Sequence, residues 1–180
     1  MRTFMIFLTS LLAVALFPLA TSGQANTFTN KSVDYVIEFP SSKWRALPSS
    51  GIIVSARTRK EFIYSDANTV RLLVRRKLVD VSVTPSDMVR RRQIWAHNLT
   101  GFVSLKEESF TGALSGAKFS YEYIQGGKPT TAIIYYLEAD KRTIYSLLFR
   151  GRRDEIQSLQ NQADSIAGSF HLKHSRGPRG

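Results

Sequence analysis

The chain has 180 residues, no cysteine, and 25 Lys and Arg against 14 Asp and Glu, a formal net charge of +11 at pH 7. Without cysteine it has no disulfide, no thiolate metal ligand and no cysteine for a lipid, so its stability must come from packing. The positive field draws anionic partners over about 8 to 10 Å at physiological salt and is silent on the fold.

The first 25 residues place Arg2 ahead of the apolar stretches Met5 to Leu8 and Leu11 to Phe17, then small and polar residues ending at Gly23-Gln24-Ala25. This is the tripartite pattern of a secretory signal. The apolar stretch is shorter than the roughly 20 residues that span a bilayer. Gly23 and Ala25 supply the two small residues of a cleavage site. The reading is a signal peptide over 1–25, one domain over 26–174 and a disordered basic tail over 175–180, in a soluble periplasmic or extracellular protein. Loss of 1–25 would remove only Arg2 from the cations, and the about 155 residues left suffice for one core.

From Val33 to Phe39, Val33, Tyr35, Ile37 and Phe39 alternate with Asp34, Val36 and Glu38, the period-two signature of a half-buried strand ended by Pro40. Trp44 is expected to plug one end of the core. Ile52 to Ala56 and Glu61 to Tyr64 are two short strand candidates. Thr69 to Val81 reads as a long strand, with Val70, Leu72, Val74 and Leu78 on one face and Arg71, Leu73, Arg75 and Lys77 on the other. Arg76 falls on the apolar side and is expected near the end of pairing, reaching solvent.

Pro85-Ser86-Asp87 announces a helix, with Ser86 as cap and Asp87 at the positive end of the dipole, running to about Asn98 and stopped by Gly101. Met88, Trp95, Leu99 and Phe102 form its apolar stripe, flanked by Val89 and Ala96. Arg92 shares that stripe and must snorkel or meet a carboxylate. Val103 to Ser109 is a further strand. Lys118 to Ile124, Thr131 to Glu138 and Arg142 to Phe149 follow as a meander, its first turn made by Gln125-Gly126-Gly127-Lys128. Asp154 and Gln157 read as the capping box of a last helix, striped by Ile156, Leu159, Ala163, Ile166 and Phe170 and ended by Gly168. The class is α+β: one mainly antiparallel sheet packed against two amphipathic helices.

The opening run Tyr35-Val36-Ile37-Glu38-Phe39-Pro40 leading to Trp44, the strand Lys118-Phe119-Ser120-Tyr121-Glu122-Tyr123 and the closing Ile166-Ala167-Gly168-Ser169-Phe170 carry a resemblance. Over Val33 to Leu172 the chain resembles the PsbP family of extrinsic photosystem II proteins and the similarly folded Mog family that binds the GTPase Ran. The resemblance implies an α/β/α sandwich around a central antiparallel sheet, acting as a docking module rather than a catalyst. The photosystem-docking segment ahead of the first strand is not recognisable in Asn26 to Ser32. No binding residue is carried over.

Catalytic and metal signatures are sparse. The three histidines, His97, His171 and His174, do not fall at metal-ligand spacing, so no metal or cofactor is expected. There is no G-x-S-x-G elbow around Ser115, no phosphate loop and no dinucleotide fingerprint. Glu107, Glu108, Glu122 and Glu138 are candidates for paired acid–base work but read more simply as solvent-face charges. The remaining signal is basic: Arg71, Arg75 and Lys77 on one strand face, Arg90-Arg91-Arg92 on the first helix, and Arg150, Arg152 and Arg153 before the second. The expectation is a non-catalytic exported module that docks an acidic protein or envelope polymer through Arg71, Arg75 and Lys77. The alternatives are an enzyme assembled from scattered polar residues and a nonspecific polyanion binder. No nucleic-acid motif accompanies the charge.

Overall fold

The computed structural model describes residues 26–48 and 59–173. The expected signal over 1–25, the strand candidate Ile52 to Ala56 and the tail lie outside the described residues. Strands β3 (Trp44–Ala46), β4 (Arg59–Tyr64), β5 (Ala67–Leu78), β6 (Val103–Thr111), β7 (Ser115–Gln125), β8 (Lys128–Asp140) and β9 (Thr143–Arg152) form one antiparallel sheet in the order β3-β4-β5-β9-β8-β7-β6. Three helices accompany it among the described residues: α1 (Pro85–Ala96), α2 (Arg153–Ser158) and α3 (Gln160–Ser169). Strand β8 lies near the middle of the sheet and is buried without a break from Thr130 to Leu137, so both its faces must be apolar.

Each face of the sheet carries its own apolar cluster. On one, Val70, Leu72 and Val74 of β5, Tyr135 of β8 and Phe149 of β9 pack against Ile156, Leu159, Ala163, Ile166 and Phe170. On the other, Met88, Val89 and Ala96 of α1 cover Phe119 and Tyr121 of β7 and Ala132, Ile134 and Tyr136 of β8. The result is an α/β/α sandwich, with a helical layer on either side. Trp44 is buried as expected, its indole Nε1 donating to Gln162 Oε1 at 3.2 Å. Gly126 and Gly127 make the two-residue turn between β7 and β8 with φ of +57° and +75°, which side chains rarely adopt.

Four expectations need correction. The opening strand, β2 (Tyr35–Phe39), is outside the main sheet and pairs instead with β1 (Asn26–Phe28) and β10 (His171–Leu172) in a second sheet of three strands. Strand pairing depends on distant partners, which local alternation does not name. The cap of α1 is Thr84, not Ser86: Thr84 Oγ1 accepts from the Asp87 amide at 3.2 Å and the Asp87 carboxylate accepts from the Thr84 amide at 3.0 Å. With Pro85 in the first helical position, Ser86 already lies inside the first turn. Asp154 does not cap the last helix; it sits in the first turn of α2 and pairs with Arg152 at 3.0 Å, and Arg152 precedes the helix without a side-chain cap. Leu159, with φ −102° and ψ 5°, then breaks that helix into α2 and α3, which runs on through Gly168 to Ser169.

Candidate functional site

The alternation of β5 decides where its cations go. With Val70, Leu72 and Val74 turned to the α3 side, Arg71, Arg75 and Lys77 stand on the α1 side. Helix α1 packs over β7 and β8, so it caps only one half of that face. The β4-β5-β9 half holds a cationic shelf. In register, Arg75 lies directly opposite Arg59 of β4, and Arg71 directly opposite Arg150 of β9. Residues so opposed share a face with Cβ atoms about 4.5 to 5.5 Å apart, and like charges there repel.

One carboxylate serves these groups: Glu61 accepts from Arg71 at 3.0 Å and pairs with Arg59 at 3.6 Å. Among the described residues, Arg75, Lys77 and Arg150 have no ion pair. Burial, then the charges of Arg59, Arg92 and Arg150, pushes the Arg75 guanidinium below its usual range. Burial, then Arg75, Arg92 and Arg91, does the same to the Lys77 ammonium. The remaining clusters divide. Arg91 and Arg92 reach the shelf from α1, whereas Arg90 pairs with Asp87 at 3.5 Å and Arg153 with Glu122. Arg76 pairs with Asp34 at 3.5 Å while staying partly exposed.

Of the two outcomes expected for Arg92, a carboxylate partner is not the one found: among the described residues it has no ion pair, and it is half-buried. Its Nε donates to the Tyr121 hydroxyl at 3.0 Å, and its guanidinium carbon lies 4.0 Å from the centre of the Trp95 ring. Trp95, placed by its spacing on the buried stripe, is 48% exposed. It lines a groove of about 280 Å³ between α1 and the sheet, together with Lys77, Met88, Arg91, Arg92 and Tyr136. Sequence reasoning missed Arg59 and Trp95 as parts of this surface.

No family model matches the chain, and no curated protein matches its sequence. Solved structures do match. LpqN of Mycobacterium tuberculosis, described as involved in cell envelope biogenesis, superposes with a TM-score of 0.59 at 17% identity over 83% of this chain and 91% of its own. Cyanobacterial PsbP from Synechocystis gives 0.57 at 11% identity, over 89% of this chain and 98% of its own. The Ran-binding protein Mog1p of Saccharomyces cerevisiae gives 0.57 at 9%, over 84% and 96%. The chain has the PsbP/Mog-like fold. At these identities the likeness is one of fold.

The PsbP/Mog-like frame also places the residues weighed for catalysis. Glu107 accepts from Gln93 at 2.8 Å, Glu108 pairs with Lys118 at 3.3 Å, and Glu122 accepts from Thr131 at 3.3 Å. Glu138 lies on β8 and Ser115 at the start of β7, opposite Thr111. His97 follows α1 with its ring 4.8 Å from Phe102, and His171 Nδ1 lies 2.8 Å from the Ser169 carbonyl. Among the described residues, no three His, Cys, Asp or Glu side chains group as metal ligands would, and no helix is long and apolar enough to cross a membrane.

Proposed function

We propose that this PsbP/Mog-like chain is an exported, non-catalytic module that docks an acidic protein surface on its cationic shelf, with Arg71, Arg75 and Lys77 as contact residues. Export rests on the signal pattern of residues 1–25. The observation that carries the docking reading is the repulsion on the shelf. Arginines stand directly opposite arginines, and Glu61 alone offsets them by ion pairing among the described residues. A carboxylate-rich surface would satisfy the free guanidinium donors and relieve that repulsion, with arginine able to grip each carboxylate through two parallel bonds. Two proteins of the same fold have fitting descriptions, one as Ran-binding and one as acting in envelope biogenesis.

The test is crosslinking in the native compartment with two triple variants. Arg71→Gln/Arg75→Gln/Lys77→Gln should abolish capture of the acidic partner that the wild type retains, with the fold intact by circular dichroism. Arg90→Gln/Lys106→Gln/Arg153→Gln removes the same charge from ion-paired sites away from the shelf and should leave capture nearly unchanged. Equal losses would point to nonspecific binding of an anionic polymer, which follows net charge rather than one face. Capture unaffected by the first variant would end the docking reading.

A further inference from the structure

We infer that the groove at the α1 end of the shelf is an anchor site for one aromatic side chain, so that the docked partner presents an acidic segment with an aromatic residue embedded in it. This rests on the docking reading above. Lys77 belongs to both the shelf and the groove, so a segment running along β5 from Arg71 to Lys77, about 20 Å at the rise of a strand, would reach the groove at its end. The rim is cationic: Lys77 and Arg91 have no ion pair among the described residues. The floor is apolar, made of buried Met88 and Tyr136.

The wall is Trp95, and it is held in place. Arg92 lies over the indole at 4.0 Å and is fixed in turn by its bond to the Tyr121 hydroxyl at 3.0 Å. A large exposed ring pinned before binding loses little further freedom on contact, which is what makes aromatic anchors effective at interfaces. The groove's volume of about 280 Å³ leaves room for one aromatic side chain. Its lining favours a ring over an aliphatic chain: indole and phenol edges pack against aromatic faces, the Met88 thioether is polarizable, and Arg92 offers a cation to a ring face.

The experiment uses the purified protein as it is isolated from its native compartment and two dye-labelled, capped acidic peptides that differ only in a central phenylalanine or alanine. Anisotropy should show the phenylalanine peptide binding about 10-fold tighter or more. Both affinities should fall with salt while their ratio persists, because the ring's contribution is not screened. Trp95→Ala should erase the ratio and leave the shared electrostatic binding. Of the two tryptophans, Trp44 is buried, so acrylamide quenching reports Trp95, and the phenylalanine peptide should protect it. Equal affinities for the two peptides, or quenching unaffected by the phenylalanine peptide, would overturn the anchor and leave the shelf standing. Binding of neither peptide would overturn both.

Discussion

Arg92 settles a half-buried charge with a phenol and an indole in place of a carboxylate. The arrangement needs a planar donor: a lysine would keep the charge but could not both lie flat on Trp95 and reach Tyr121 with parallel donors. Arg92→Lys should therefore cost about 1 kcal/mol in urea unfolding and leave Trp95 more open to acrylamide. If neither reading moves, the arginine is a bystander. A harder constraint lies at Gly116, where β7 passes β8 so closely that a Cβ would stand 1.9 Å from the Tyr136 carbonyl oxygen. Backbone cannot yield as a side-chain tip does, so Gly116→Ala should lower stability by about 3 kcal/mol. An unchanged urea midpoint would show that the two strands can part without penalty.

At the scale of elements, α1 is set by its first turn. Thr84→Ala removes the hydroxyl that accepts from the Asp87 amide and should cost about 1 kcal/mol by urea unfolding. The bonds from the Thr84 backbone amide and side chain hold the Asp87 carboxyl below the ordinary range. A depressed carboxylate contributes stability that is complete above the unfolded value of about 4 and is lost as pH falls through the folded value. The stability gap between wild type and Asp87→Asn should thus be present at neutral pH and close in acid; a gap independent of pH would refute this coupling. Such local devices are legible in sequence when the right pair is chosen: Pro85 in the first helical position already favours Thr84 over Ser86. Periodicity likewise put Arg71, Arg75 and Lys77 opposite Val70, Leu72 and Val74, and it found the stripe from Ile156 to Phe170. It could not find the break at Leu159, because the apolar spacing runs through it undisturbed. Nor could it set Arg59 beside Arg75 or leave Trp95 half exposed. Strand register and the limited reach of α1 over the sheet are decided by contacts between segments far apart in the chain.

For the molecule as a whole, the shelf sets stability against binding. Opposed arginines repel in the free protein, so the surface suited to an acidic partner should be a small burden on folding. Arg75→Gln removes a guanidinium that faces Arg59 and lowers the pKa of Lys77, while breaking no ion pair among the described residues. It should stabilise the protein by about 0.5 kcal/mol at low salt, a gain that shrinks as salt screens the wild type. Lys77 supplies an independent reading by NMR titration. Its folded pKa lies below its unfolded one, so between the two values the unfolded chain holds more protons and stability rises with pH. Arg75→Gln should move the folded value up and narrow that interval. A loss of stability at every salt concentration, with the Lys77 titration unmoved, would mean that the shelf cations are already solvated apart from one another. Repulsion would then give an acidic surface no relief to supply, and the electrostatic basis of docking would be gone.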